Sequence, residues 1–258
     1  APTTYCDVNG EFRGHDQQIY QAKDWRNYST FSLWDTYRAL HPWFTIIQTD
    51  RVGDMVNSML SIFDQQGKLP IWPLIGGETN QMPGYSAVPV IADAYLKGIG
   101  GFDGERAFQA CVKSATYRKQ NGVPYVLDQE YIPCDKVGEA TSIAMEYAVD
   151  DWGIAAMAKK MGKETEAELF ERRSRYYRHY FDSEIGFIRP RNADGSWLTP
   201  YDPFQSIHGG QGYFCEGTGW QYTFFVPQRP ADLIALLGGD EAFIHKLDSL
   251  FTVEGDMG

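Results

Sequence analysis

Helical periodicity is the feature that most limits the folds open to this chain. Between Val52 and Phe63, apolar side chains follow every third or fourth position, and Gly67 then supplies a stop. Weaker patterns predict further helices at about residues 33–40, 86–97, 104–121, 138–161, 163–182, 230–237 and 240–250. Strands do not alternate with these helices, which disfavours a doubly wound sheet. The sequence therefore predicts a mainly α fold, with helices paired around a toroid.

Long loops rich in glycine, proline and aromatic residues separate the helices, at residues 68–85, 122–137 and 185–215. Because loops of this length in a compact domain are usually functional, we expect them to build a cleft at one end of the toroid. Asn192–Gly195 predicts a turn, as in a small hairpin. Residues 1–30 have few periodic apolar positions and are predicted to be irregular. Ser32 is the predicted cap of the first helix, which Pro42 ends.

Charge and composition exclude several classes of function. The net charge is -11 and basic residues form no run, which argues against binding to nucleic acid. No apolar stretch approaches the ~18 residues that a membrane-spanning helix needs. The four cysteines and five histidines are scattered, which argues against a zinc site. The aromatic fraction of 15% suits either a carbohydrate-binding cleft or a large aromatic core.

The segment Gly212–Tyr222 holds the strongest candidate for catalysis. It places Glu216 among glycines and large aromatic residues, with Phe214 before it and Trp220 after it. Glycines let a backbone approach a ligand closely, and aromatic rings exclude water and stack on sugars. A carboxyl group in apolar surroundings is pushed toward its neutral form, as a general acid requires. The alternative is a loop whose glutamate has only a structural role.

A second candidate lies at the start of the first predicted helix. Asp35 stands between Trp34 and Arg38, so its carboxylate is suited to accept hydrogen bonds from sugar hydroxyls while Trp34 or Tyr37 lines the ring. The alternative is structural, because an aspartate at a helix start commonly caps the helix or pairs with an arginine three residues later. The residues alone favour that alternative.

Other polar clusters have structural explanations that are at least as good. Glu146, Asp150 and Asp151 lie on one predicted helix, where an exposed acidic face is a simpler explanation than bridging by a metal or an arginine. The segment Arg189–Trp197 suits either recognition of an anion or a hairpin held by bonds from arginine to backbone carbonyls. In the loop ahead of residue 86, Glu78, Asn80 and Gln81 are candidates for contact with a polyol. Asp93, in the following helix, is either a sugar ligand or a buried structural acid, and the structural role is favoured.

Five of these stretches, in order, resemble glycoside hydrolase family 92, the calcium-dependent exo-acting α-mannosidases. The matching segments are Phe31–Pro42, Leu74–Lys97, Glu146–Trp152, Ile188–Trp197 and Glu216–Pro227. The resemblance extends over nearly the whole chain. It implies that residues 1–258 are part of one (α/α)6 catalytic domain, which in the family follows a β-sandwich domain.

The resemblance also implies a reaction, the inverting hydrolysis of terminal α-linked mannose in mannosides and N-glycans. In such chemistry one carboxylic acid protonates the leaving oxygen, and a second carboxylate activates water on the opposite face of the sugar. Glu216 matches the position of the family's proposed acid, and Asp35 matches a residue that contacts the mannose at the cleaved subsite. Trp34, Trp220 and Gln221 are assigned to the lining of the substrate site.

Parts of the family pattern lie outside this chain. Two later motifs of the family are absent from it, and the second of them supplies the candidate general base. We therefore expect residues 1–258 alone to be inactive, with most ligands of the implied calcium ion lying elsewhere. The resemblance further implies a periplasmic or secreted location and a mannose-containing oligosaccharide as partner. Two alternatives remain: a non-catalytic carbohydrate-binding helical domain, and another glycosidase with an (α/α)6 fold.

Overall fold

A computed structural model describes residues 2–207 and 212–255, which are mainly helical. Contacts divide the chain into two units, the first comprising Ala1–Tyr117 and Asp150–Glu171, the second Arg118–Val149 and Arg172–Gly258. The helices are α1 (Leu33–Thr36), α2 (Leu40–Ile47), α3 (Thr49–Gln66), α4 (Ala87–Leu96), α5 (Gly104–Ala115), α6 (Val123–Gln129), α7 (Ala140–Met161), α8 (Glu164–Arg173), α9 (Gly219–Thr223), α10 (Pro230–Leu236) and α11 (Asp240–Thr252). The prediction of a mainly α fold is confirmed.

Short antiparallel strand pairs accompany the helices. Strand β1 (Thr3–Thr4) pairs with β4 (Tyr28–Ser29), and β2 (Glu11–Arg13) pairs with β3 (Ile19–Gln21). The first 30 residues were expected to be irregular, and these two pairs correct that prediction. Strands this short escape detection, because two or three residues show no readable alternation of apolar and polar side chains.

The first unit has its core between α2, α3, α4 and α5, which pack against one another. Helix α3 turns Val56, Met59 and Leu60 inward, and all three are fully buried. Gly53 lets this helix approach a neighbouring turn, because a Cβ at this position would lie 2.6 Å from the carbonyl oxygen of Gly100. The periodic segment Val52–Phe63 therefore lies in the central helix of this unit.

The second unit is organised around a small hairpin and α9. Strands β5 (Phe181–Asp182) and β6 (Phe187–Ile188) pair in antiparallel fashion, and α9 packs against β6. The Ile188 backbone N–H donates to the Thr223 hydroxyl oxygen at 3.0 Å, which joins helix and strand. Helix α7 supplies residues to both units, since the division falls between Val149 and Asp150.

Helix ends follow the predicted signals at several places. Gly67 adopts a left-handed conformation with φ +80° directly after α3, as its role as a stop requires. Asp103 caps α5 through its carboxylate, which accepts from the Arg106 backbone N–H at 3.0 Å. The turn at Asn192–Gly195 is also confirmed, because the Gly195 N–H donates to the Asn192 carbonyl and an isolated bridge joins Arg191 to Trp197.

Other boundaries differ from those predicted. Pro42 lies in the first turn of α2 and does not end a helix, because the first turn needs no backbone donor at that position. Ser32 makes no side-chain capping bond to α1. The segment 163–182 divides into α8 and a 3-10 helix at Tyr176–Tyr180, and α6 lies within a predicted loop. Packing decides these short elements where local pattern is weak.

Candidate functional site

The loop that carries Glu216 is fastened to the start of α7. The Glu139 backbone N–H donates to the Gly212 carbonyl oxygen at 2.7 Å, and the Cys215 backbone N–H donates to the Ser142 hydroxyl oxygen at 2.6 Å. The Tyr222 hydroxyl then donates to the Cys215 carbonyl oxygen at 2.9 Å. Hydrogen bonds therefore hold both backbone polar groups of the residue that precedes Glu216.

Glu216 occupies a backbone conformation that glycine adopts more readily. Its φ is +45°, whereas its neighbours in the chain are a buried cysteine and a buried glycine. A residue with a Cβ in this region costs on the order of 1–3 kcal/mol, and such residues cluster at functional sites. The Glu216 side chain is exposed. The backbone thus presents a carboxyl group outward from a loop that is otherwise packed inward.

The aromatic cover expected for Glu216 is not found among the described residues. The Phe214 ring stacks on Tyr222 with centroids 5.2 Å apart, and the Trp220 ring meets Phe187 edge to face at 4.8 Å. Both rings are buried in the second unit while Glu216 stays exposed. The prediction that these two rings shield the acid from water is therefore wrong for this part of the chain.

Trp220 is enclosed by side chains of its own unit. Phe204 lies 5.8 Å away, and the Lys246 Nζ lies 4.7 Å from the centre of the Trp220 ring. Burial beside these rings lowers the pKa of Lys246 to about 8. Trp220 is only 7% exposed, so in this structure it supports the loop from within. That Trp220 lines a substrate site stays a prediction.

Gln221 combines a structural bond with a free donor. Its Oε1 accepts from the Thr218 backbone N–H at 2.8 Å, which satisfies a donor at the start of α9. The side chain is exposed, and its amide nitrogen has no partner among the described residues. That nitrogen is free to donate to a sugar hydroxyl, so the predicted lining role is compatible with the geometry and stays a prediction.

The Cys215 thiol has surroundings that do not suit a nucleophile. Burial, followed by the charges of Glu139 and Glu216, raises the pKa of its thiol to about 12. The thiol is therefore protonated at neutral pH. Cysteine nucleophiles require a lowered pKa, so the raised pKa argues against thiolate chemistry at this position.

Trp34 and Asp35 lie in the first unit, on the short helix α1. Arg38 stacks on the Trp34 ring at 5.4 Å and on the Tyr37 ring at 4.6 Å. The Asp35 carboxylate is exposed and has no hydrogen-bonding or ionic partner among the described residues. Neither structural explanation for Asp35, a helix cap or a pair with Arg38, is found. The carboxylate is available to accept hydrogen bonds from a ligand.

The structure therefore groups the predicted residues by unit. Glu216, Trp220 and Gln221 come together in the second unit, and Trp34 and Asp35 are adjacent in the first. Glu139 also fastens the loop that carries Glu216, and the sequence does not single it out. Its only signal in the sequence is its place just ahead of α7, which predicts neither its left-handed backbone nor its backbone bond to Gly212.

The acids of α7 correct another prediction. Glu146, Asp150 and Asp151 are 1%, 0% and 1% exposed, so the expected exposed acidic face is wrong. Tyr85 contacts two of them: its backbone N–H donates to the Asp150 Oδ2 at 2.8 Å and its hydroxyl to the Asp151 Oδ1 at 2.6 Å. Buried charges need such partners, so these acids have structural bonds that the sequence did not reveal.

Three further candidates prove structural. Glu78 accepts from the Ile71 and Trp72 backbone N–H groups at 2.8 and 2.9 Å, and so closes its own loop. Asp93 pairs with Lys97 at 2.7 Å, which is compatible with a structural role, although its side chain is half-buried and not buried as expected. In the hairpin segment, Arg189 donates from Nε to the Leu198 carbonyl oxygen at 3.0 Å, and Arg191 donates in the same way to Gly195. Bonds to carbonyls thus explain these arginines.

The described residues do not fit a calcium site. Among residues 2–207 and 212–255 there is no group of three or more His, Cys, Asp or Glu side chains that could hold a metal ion. Calcium prefers six to eight oxygen ligands, commonly with several carboxylates. We therefore derive no chemical step through calcium from this chain.

Comparisons with a family model and with solved structures point to the same family. The family model described as the glycosyl hydrolase family 92 catalytic domain matches residues 1–257. A family GH92 α-mannosidase of Bacteroides thetaiotaomicron, solved with mannoimidazole, superposes with a TM-score of 0.94 at 42% identity, covering 98% of this chain and 34% of that one. A family GH92 inverting mannosidase of the same organism superposes with a TM-score of 0.86 at 29% identity. The match covers 96% of this chain and 34% of the mannosidase chain.

A curated relative adds a second kind of comparison. It is an uncharacterized secreted glycosidase of Arthroderma benhamiae, 28% identical over 232 residues, which cover 76% of this chain and 30% of the relative. The chain thus spans about a third of the length of the proteins it matches. No helix in the described part of the chain has the length and apolar character that crossing a bilayer requires.

Proposed function

This chain belongs to glycosyl hydrolase family 92, and from that membership we propose that it serves the hydrolysis of terminal α-linked mannose with inversion at the anomeric carbon. Solved relatives described as an α-mannosidase and as an inverting mannosidase support the proposal. The substrate class is a mannoside or a mannose-terminated oligosaccharide such as an N-glycan.

The observation that carries the proposal is the presentation of Glu216. Glu216 has an exposed carboxyl group and a left-handed backbone, in a loop that is held through Cys215 to α7. Folding alone does not favour this placement. In inverting hydrolysis, one carboxylic acid donates a proton to the glycosidic oxygen as the bond to the anomeric carbon breaks. We assign that donation to Glu216. The water is activated by a second carboxylate, which we do not assign to this chain.

Asp35 supplies the complementary binding role. Its exposed carboxylate, without a partner among the described residues, is suited to accept hydrogen bonds from two sugar hydroxyls. Charge-assisted bonds of this kind are stronger than neutral ones and fix the orientation of a ring. The edge of Trp34 beside it offers an apolar surface to the sugar, while Arg38 stacks on the indole.

The test of this proposal is a hydrolysis assay on the natural full-length protein that carries this sequence. We expect it to release p-nitrophenol from the α-mannoside and not from the matching α-glucoside. Proton NMR of the first turnovers is expected to show β-mannose, because an inverting reaction reverses the anomeric configuration. Preference for the glucoside, or α-mannose as the first product, contradicts the proposal.

We also propose export of the protein to the periplasm or the cell exterior. The curated relative described as a secreted glycosidase supports this location. Cell fractionation with antibody detection tests it. Recovery of the protein solely with cytosolic markers contradicts it.

A further inference from the structure

Helix α9 holds the loop that carries Glu216 on both sides of that residue. Ahead of Glu216, the Tyr222 hydroxyl donates to the Cys215 carbonyl oxygen at 2.9 Å. After Glu216, the Thr218 backbone N–H donates to the Gln221 Oε1 at 2.8 Å. The direction in which the Glu216 side chain leaves the loop therefore depends on where α9 lies.

The opposite side of α9 is held through Trp220. Trp220 and Tyr222 are two positions apart on a helix, so their side chains point about 200° apart around its axis. The Trp220 ring meets Phe187 of β6 edge to face, with centroids 4.8 Å apart. The Trp220 backbone N–H donates to the Pro203 carbonyl oxygen at 3.3 Å. A contact that fixes the Trp220 ring therefore also fixes the helix that holds the loop.

Lys246 of α11 reaches both of these rings. Its Nζ lies 3.2 Å from the centre of the Phe187 ring and 4.7 Å from the centre of the Trp220 ring. The face of an aromatic ring is electronegative and attracts an ammonium group that lies within about 6 Å of its centre. In the described part of the chain, this Nζ has no carboxylate or carbonyl partner. Attraction to the rings of Phe187 and Trp220 is therefore the interaction that engages its charge.

The Lys246 amine is charged at neutral pH. Burial beside the rings lowers the pKa of Lys246 to about 8, so at pH 7 about nine molecules in ten carry the proton. The side chain is half-buried, and less water between charge and ring means weaker screening of their attraction. The contact is therefore expected to hold at neutral pH.

A second contact between α11 and the α9 region is apolar. Phe243 stands three positions before Lys246 and so shares its face of α11. The Phe243 ring packs edge to face on Phe224, which directly follows α9, with centroids 5.9 Å apart. A substitution that removes only the charge of Lys246 therefore leaves this apolar contact to hold α11 in place.

We propose that Lys246 is a positioning residue, whose ammonium group fixes Trp220 and thereby the orientation of Glu216; this inference rests on the function proposed above. Lys246 itself need not touch the substrate. Neither the family match nor the relatives assign a role to this residue. A displacement of about 1 Å in a catalytic group can reduce a rate by about a hundredfold, so a contact made through α9 can govern turnover.

The test compares variants of the natural full-length protein at pH 7. Lys246→Met keeps an unbranched apolar stem but removes the charge, and is expected to lower kcat on mannobiose by about fivefold to twentyfold, with little change in KM. Lys246→Arg keeps a cation that stacks on aromatic rings, and is expected to stay within about twofold of the wild type. The matched control is Lys113→Met, because the Lys113 Nζ lies 5.8 Å from the centre of the Phe63 ring in the first unit. This control is expected to leave kcat unchanged.

The leaving group shows whether Lys246 acts through Glu216. Lys246→Met is expected to lose less than about twofold on 2,4-dinitrophenyl α-mannoside, whose leaving group needs no proton. In a Glu216→Gln background, Lys246→Met is expected to lower kcat on mannobiose no further, because the group that it positions is gone. The inference is overturned by an unchanged kcat in Lys246→Met, an arginine variant as slow as the methionine variant, equal losses on both substrates, or a further loss in the Glu216→Gln background.

Hydrogen exchange separates this inference from the proposed function. In Lys246→Met, amides of the segment 215–223 are expected to exchange about tenfold faster, while those of α5 keep their rates. This readout does not require activity. If the natural protein hydrolyses no mannoside, the proposed function fails, and exchange alone decides whether Lys246 fixes α9 and the loop; unchanged exchange in 215–223 overturns the positioning role.

Discussion

At the scale of the residue, Glu216 shows how a backbone conformation can point to chemistry. A glycine at this position would adopt φ +45° freely, yet the chain places a carboxylate there. The sequence identified the residue from its glycine and aromatic neighbours but predicted the wrong surroundings. Aromatic residues close in sequence need not be close in space, because Phe214 and Trp220 turn into the unit while Glu216 turns out.

Relief of this strain is measurable. We predict that Glu216→Gly is more stable to urea than Glu216→Ala, by about 1 kcal/mol, because alanine keeps the strain of the left-handed backbone and glycine removes it. At an ordinary position the order is reversed, since glycine loses more chain entropy on folding. The control is the same pair of variants at Asp24, an exposed residue outside the left-handed set. Equal stabilities at Glu216, or a more stable alanine variant, contradict the strain argument.

At the scale of the element, long periodic helices were predictable and short ones were not. Helices α3 and α4 lie where the apolar spacing predicts them. As predicted, Gly67 ends α3 and Asp103 caps the start of α5. Helix α6 and the 3-10 turn at Tyr176–Tyr180 are too short for a periodic signal. Their place depends on tertiary bonds, such as the Ile132 N–H that donates to the Tyr180 hydroxyl at 2.6 Å.

Helix α2 carries a pH-dependent contribution to stability. His41 is buried between Phe31 and Phe44, and burial lowers its pKa from 6.5 to about 4. The unfolded chain therefore binds more protons than the folded chain between pH 6.5 and 4, so stability is full above pH 6.5 and falls as pH drops toward 4. The loss is on the order of 3 kcal/mol for this one group.

A substitution tests that contribution. We predict that His41→Phe, which keeps the ring and removes the titration, loses less stability than the wild type between pH 6.5 and 4, as measured by urea unfolding at each pH. The control is His245→Gln, which changes an exposed histidine and is expected to give a curve parallel to the wild type. Parallel curves for His41→Phe and the wild type refute the role of His41.

At the scale of the whole molecule, the family explains what single residues could not. The residues around Asp35 favour a structural role, and only the ordered resemblance of five segments favours a binding role. That role is compatible with a carboxylate that is exposed and has no partner in the described part of the chain. The buried acids of α7 were misread because burial depends on partners distant in sequence, such as Tyr85. Contacts divide the chain into two compact units. The assignment of residues 1–258 to one catalytic domain stays a prediction.

The chain alone has a predicted limit. We expect residues 1–258 to show no mannoside hydrolysis and no stoichiometric calcium binding tighter than about 1 mM, since the described residues hold no suitable cluster and the chain spans about a third of the length of its relatives. Isothermal titration with calcium chloride and a parallel assay on p-nitrophenyl α-mannoside check both statements. Chelator-sensitive turnover by this chain alone contradicts them.

The most direct test of the central claim, that Glu216 is the general acid, is the dependence of Glu216→Gln on the leaving group. In the natural full-length protein, we predict that this variant lowers kcat on mannobiose, whose leaving group needs a proton, by about a hundredfold or more. The loss on 2,4-dinitrophenyl α-mannoside, whose leaving group needs none, is expected to stay below about tenfold. An equal loss on both substrates would show that Glu216 does not donate the proton.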